Sequence, residues 1–146
     1  MTLSPREVFL GVLHGVCDRR LDDLPAYYAE HTDVRHPFDP GRAPALRTRD
    51  ELREHFARGL AATPEIRREP RNIRIHEMTD PEVVIGEFEY HSTVVETGET
   101  FDMPAIFVMR VRDGEIVESR DYAHHVAFAE ALGRLPELIA EYEARA

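Results

Sequence analysis

Residues 100–125 read "TFDMPAIFVMRVRDGEIVESRDYAHH". Two stretches rich in apolar and β-branched residues flank an Arg-Asp-Gly, and Asp-Gly between alternating runs is a strong short-range hairpin signal. Residues 100–112 and 115–125 therefore pair as antiparallel strands. A three-residue loop with Gly114 left-handed would set Phe107 opposite Ser119 and Ala105 opposite Asp121. Met103, Ala105, Phe107, Asp121 and Ala123 then share one face, with Asp121 its one charged member.

Moving backwards, residues 72–78 ("NIRIHEM") and 82–95 ("EVVIGEFEYHSTVV") have the same texture, and turns at "DP" and "ETG" join them into a meander. The loop at "ETG" decides which residues of the second run face inward. Three residues, with Gly98 as the bulge residue, put Glu87, Glu89 and His91 on the face of Met103 and Asp121. A two-residue turn puts Phe88, Tyr90 and Ser92 there, because a one-residue slip flips the strand.

The N-terminal third is helical. Ser4, Pro5 and Glu7 form a capping-box start ahead of Phe9, Val12, Leu13 and Val16, which predicts a helix over 5–20. Residues 23–30 ("DLPAYYAE") form a second, short helix that brings Leu24, Tyr27 and Tyr28 to one side. Thr48 and Glu51 repeat the cap before Leu52, Phe56 and Leu60. Between these helices, a short strand "DVRH" ends on His36 because Pro37 cannot extend its pairing. The chain closes with a helix broken at Gly133–Pro136. Helices followed by a long meander predict one α+β domain over residues 1–146, a curved antiparallel sheet packed on N-terminal helices and enclosing a pocket where the layers splay apart.

A net charge of −10 argues against nucleic-acid backbone contacts, and no apolar run reaches the length of a membrane span. Cys17 is the only cysteine, so an intrachain disulfide is excluded. The first residues lack the basic start and apolar core of a signal peptide, and the expected location is cytoplasmic. Neighbouring His124 and His125 point to opposite sides of a strand, which is not a ligand spacing, so no metal is expected. The charge runs at 67–71 ("RREPR") and 141–145 ("EYEAR") read as solvated surface.

The pattern formed by residues 21–37 ("LDDLPAYYAEHTDVRHP"), the Thr48-x-x-Glu51 helix and residues 97–125 resembles the nuclear transport factor two-like superfamily, in particular its SnoaL-like and ketosteroid isomerase-like branch. The resemblance spans almost the whole chain. It implies a cone-shaped α+β fold, a homodimer, and an interior that takes a small apolar organic molecule. Ungapped, His36 falls at the general-base position of ketosteroid isomerases, whereas Val12 and Phe107 stand where their oxyanion donors would be. Compared with limonene-type epoxide hydrolases, Asp121 matches the aspartate that activates water and His36 takes an asparagine's place. Val34 replaces a tyrosine, and "GEFEYHS" at 86–92 lacks an Arg-x-Asp. SnoaL-like relatives often carry an acid at the position of Glu87, which favours the three-residue loop.

The resulting expectation is a cofactor-independent enzyme of the isomerase, dehydratase, cyclase or hydrolase type, with His36, Asp121 and Glu87 as its acid/base groups. Tyr28, Phe56, Met103, Ala105, Phe107, Ala123 and His91 would line its pocket. The alternative is a non-catalytic ligand-binding or dimerisation module of the same fold. The dimer is expected to form through Ile106, Val108, Ile116 and Tyr122 on the opposite face of the sheet.

Overall fold

The computed structural model describes residues 2–145. The first helix, α1 (Pro5–Cys17), begins where Ser4 Oγ accepts from the Glu7 amide at 3.2 Å and Glu7 Oε2 accepts from the Ser4 amide at 3.1 Å. A single 3₁₀ turn follows at Leu24–Tyr27, then strands β1 (His31–Arg35) and β2 (Leu46–Thr48) and helix α2 (Arg49–Ala62). Four long strands come next: β3 (Ile66–Glu77), β4 (Val83–Val94), β5 (Thr100–Arg112) and β6 (Glu115–Ala123). Helices α3 (His125–Ala131) and α4 (Leu135–Ala144) close the chain.

The strands form one sheet in the order β2-β1-β6-β5-β4-β3. The expected α+β architecture is present, with one difference: β1 joins β6 in parallel, and the other neighbours are antiparallel. A connection as long as that between β1 and β6 leaves either direction open, whereas hairpins enforce antiparallel pairing.

Helix α1 lies across the inner face of the sheet. Phe9 is fully buried, its ring 5.8 Å from Phe88 and 6.4 Å from Phe107. The helix can approach this closely because β4 carries Gly86 beneath it, where a Cβ would run into the Phe9 ring. Val8, Leu13, Leu24, Val34, Leu52 and Ile116 complete the centre of the core.

Two loops set the register that matters for function. At "RDG" the turn is two residues long, Asp113 and Gly114 both having positive φ, so Arg112 faces Glu115. A bulge then leaves Val117 as an extra residue on β6, between the pairs Val111–Ile116 and Arg110–Glu118. The shorter turn and the bulge cancel in parity. Phe107 pairs with Asp121 and Ala105 with Ala123, two residues along from the expected partners, and the face shared by Met103, Ala105, Phe107, Asp121 and Ala123 is preserved. The same bulge turns Ile116 inward, where it is fully buried, so it does not belong to the outer stripe expected for a dimer.

Between β4 and β5 the loop has four residues, Val95 to Gly98, with Gly98 left-handed and its amide donating to the Val94 carbonyl at 2.8 Å. An even loop has the parity of a two-residue turn. Phe88, Tyr90 and Ser92 therefore face inward, and the inward placement of Glu87 and His91 is corrected. Both lie on the outer face, Glu87 with His76 at 2.6 Å and His91 with Asp102 at 2.8 Å.

Candidate active site

The parallel register of β1 on β6 builds the polar centre. Val34 pairs with Ser119 and Arg35 with Arg120, so His36, the next residue, comes level with Asp121. Pro37 then ends the strand, and the chain turns away through an Asp39 amide bond to the His36 carbonyl of 3.0 Å. His36 Nε2 stands 3.8 Å from Asp121 Oδ2. That is longer than a hydrogen bond and within ion-pair distance.

The Asp121 side chain is 11% exposed and accepts one short hydrogen bond, 2.5 Å from Ser119 Oγ two residues earlier on the same face. Burial favours its neutral form more strongly than the Ser119 hydroxyl favours the charged one, and the carboxyl pKa is pushed up to about 7. Burial likewise lowers the pKa of His36. Because burial drives both groups towards neutrality, their contact is a meeting of a neutral imidazole with a carboxyl poised between its forms, not a conventional salt bridge.

Two further imidazoles surround His36. His55, from α2, stacks on it with centroids 5.3 Å apart, and His125, at the start of α3, meets it edge-on at 6.3 Å. Burial pushes His55 down to about 4 and lowers His125 as well. The Nε2 atom of His125 is buried without a hydrogen-bond partner. Among the described residues no group of three or more His, Cys, Asp or Glu side chains is arranged to hold a metal ion.

Apolar walls adjoin this centre. Tyr28 is buried with its ring 6.2 Å from Phe56, and its hydroxyl is held well above its ordinary pKa by burial and by the Asp121 charge. Ala105 and Phe107 are buried on the strand beside Asp121, with Met103 and Ala123 half-buried along the same face. A cavity of about 260 Å³ opens between α1, α2 and the inner sheet face, lined by His55, Phe56, Tyr90, Met103, Phe128 and Arg68. His55 links this cavity to His36 through their stack, and Tyr90 links it to Asp121, whose charge helps to raise the tyrosine's pKa.

A larger hollow of about 780 Å³ is lined by the outer-face residues Phe38, Glu87, Ile106 and Tyr122 and also by Ala105, Ala123 and His125. Neither His36 nor Asp121 reaches it, so size does not identify the chemical site here.

The structure thus brings His36, Asp121, Tyr28, Phe56, Met103, Ala105, Phe107 and Ala123 to one region and leaves Glu87 and His91 outside it. Sequence reasoning missed His55, which sits three residues after buried Leu52 and so on the same helical face, a signal that was legible. It also missed the Ser119 hydroxyl and the inward turn of Arg68. His125 was read only against a metal spacing.

Residues 11–119 match the family profile of the SnoaL-like domain. An uncharacterized PhzA/B-like protein of Pseudomonas aeruginosa is 32% identical over 106 residues, covering 69% of this chain and 75% of that protein. Among solved structures, a candidate isomerase from Bacillus subtilis superposes with a TM-score of 0.75 at 21% identity, over 90% of this chain and 97% of its own. A candidate polyketide cyclase from Pseudomonas putida gives a TM-score of 0.70 at 13% identity, over 89% and 98%. These structures establish the nuclear transport factor two-like fold.

Proposed function

The chain belongs to the SnoaL-like domain family, and from that premise we propose that it is a small-molecule enzyme that works by acid–base catalysis in its cone interior. The reaction class is isomerisation, ring closure or dehydration of a small organic substrate. The observation that supports this reading is the pair His36 and Asp121, 3.8 Å apart, with the carboxyl buried and titrating at about 7. A catalytic proton carrier is most effective when its pKa lies near the working pH.

The ionised fraction of Asp121 takes a proton from an activated C–H or O–H of the substrate, and the protonated carboxyl returns it at a second position. Neutral His36 offers both an acceptor and a donor nitrogen beside it. The pair moves protons without help from a cofactor. Val12 and Phe107 provide no hydrogen bond to an enolate oxygen, so the chemistry differs from steroid isomerisation and suits a substrate that carries its own electron sink. The exposed apolar residues Ile106 and Phe38 on the outer face support a homodimer.

The test is solvent deuterium incorporation into a panel of cyclic ketones and keto acids, followed by NMR. His36→Ala and Asp121→Asn are each expected to slow exchange by about a hundred- to ten-thousandfold in a folded protein. Exchange at the parental rate in both variants removes the catalytic assignment, and a change in affinity alone makes the chain a binding module.

A further inference from the structure

The cavity next to the acid–base pair carries a cation, Arg68, that has no carboxylate partner among the described residues. Arg68 lies on β3 opposite Ser92, on the inward face of the sheet, and lines the 260 Å³ cavity with its guanidinium carbon 6.0 Å from the centroid of the Tyr90 ring. Five arginines, Arg35, Arg49, Arg110, Arg112 and Arg120, hold a carboxylate at 2.7–3.1 Å. The groups acting on Arg68 are Tyr90, Cys17 and a second cation, Arg19, and none of them is a carboxylate. Burial and Arg19 both act against its charge.

Arg19 contributes to the same cavity. It follows the end of α1 in the left-handed region, φ 57, a conformation that glycine takes without strain and that a bulky residue adopts only at a cost. One of its nitrogens donates to the Ile66 carbonyl at 3.3 Å, and the carbonyl leaves the positive charge unneutralised. Two guanidiniums thus converge on a hollow whose other walls include Phe56, Tyr90, Met103 and Phe128, with His55 and Thr63 as polar members. A half-buried, unpaired guanidinium is unfavourable in an empty pocket and favourable only when an anion joins it.

We infer that Arg68, assisted by Arg19, is the anion-recognition subsite of the cavity, and that the ligand is a small ring compound bearing a carboxylate. The planar guanidinium fork matches a carboxylate in two parallel hydrogen bonds, and the aromatic and methionine walls fit a flat apolar body. Tyr90 lies within electrostatic reach of both Arg68 and Asp121. A carboxylate held at Arg68 therefore directs the body of the ligand over Tyr90 towards Asp121. The inference deepens the proposed function by naming a substrate class, and it rests on the cone interior being the ligand site.

The experiment compares benzoate with benzamide, which share shape and differ in charge, by NMR titration of the 146-residue chain at neutral pH. Benzoate is expected to bind on the order of tenfold more tightly and to shift the Arg68 Nε–H resonance. Arg68→Met, which keeps length and loses charge, is expected to abolish the preference, and Arg68→Lys to retain part of it. The unmodified protein keeps the test decisive should Arg68→Met fail to fold: benzoate that binds no better than benzamide, fails to bind at all, or leaves the Arg68 resonance unmoved overturns the subsite. A folded Arg68→Met that keeps the preference does the same. Deuterium exchange in Asp121→Asn reads the acid–base assignment and the benzoate preference of the parent reads the anion subsite, so failure of the one and failure of the other are separately visible.

Discussion

Asp121 links stability to pH in a direction opposite to that of most carboxylates, and Asp121→Asn isolates the effect. In the fold the carboxyl titrates at about 7, against 3.8 for an ordinary aspartate. Between those values the folded chain holds a proton that the unfolded chain has released, so stability falls as pH rises, by about 1.4 kcal/mol per pH unit. The raised pKa contributes in full below 3.8, and the contribution is gone once pH passes about 7. Over the whole interval this amounts to about 4 kcal/mol. His36, His55 and His125, with lowered values, have the opposite sign: their contribution is present above the ordinary histidine pKa of 6.5 and is lost as pH falls towards their folded values. The parent's own pH profile mixes both slopes. Asp121→Asn keeps the histidines and deletes the carboxyl, so the difference between the two proteins reports Asp121 alone. Urea unfolding at 25 °C should show the variant gaining about 3 kcal/mol on the parent between about pH 4.5 and 8.5, equivalent to a shift on the order of 10 °C in Tm. A difference that stays flat over that range, or moves the other way, refutes the assignment of a buried carboxyl titrating near neutrality.

Two further outcomes are accessible without a substrate. Cys17 is buried and its thiol is pushed up to about 11 by desolvation, so a thiol reagent at neutral pH should react only as fast as the protein opens, and rapid stoichiometric labelling of the native chain would show the thiol to be exposed. Light scattering should give a mass of two chains rather than 16.8 kDa, with Ile106→Glu shifting the population to monomer; Ile106 is 40% exposed and shares the outer face with Phe38, 65% exposed and packed on Tyr122 at 5.1 Å. A parent that is monomeric at micromolar concentration excludes that interface.

The sheet, the helix starts and the position of His36 were legible because each has a local cause. Ser4 and Thr48 cap their helices through contacts three residues long, and the proline after His36 ends its strand wherever the chain goes next. The face of β4 was not legible, because it depends on whether one loop has an odd or an even number of residues. "VETG" allows either, and the choice of four exchanged Glu87 for Phe88 and His91 for Tyr90. At the other hairpin two departures from the expected loop cancelled, so the face came out as read although the partners did not. Arg68 was hidden by composition: "RREPR" looks like surface, and within β3 every second residue of such a run turns inward whatever its charge.

The distribution of polar groups separates this interior from a merely packed one. A fold that needed only to close its cone could fill the space around residue 121 with Leu or Phe, as it does around Phe9, Phe88 and Phe107 a few ångströms away. Instead it buries a carboxyl whose ionisation destabilises the fold, three imidazoles held away from their charged forms, and a guanidinium with no carboxylate partner among the described residues. Each is unfavourable for folding taken alone; His55 and Arg68 line one cavity, and His36, stacked on His55, connects it to Asp121 and His125. Burial neutralises the groups near Asp121 and leaves the arginine charged, so on the proposed reading the interior is graded from a proton-transfer end to an anion-binding end. A ligand that is an acid at one end and activated at the other is the shape of molecule for which that gradient is complementary.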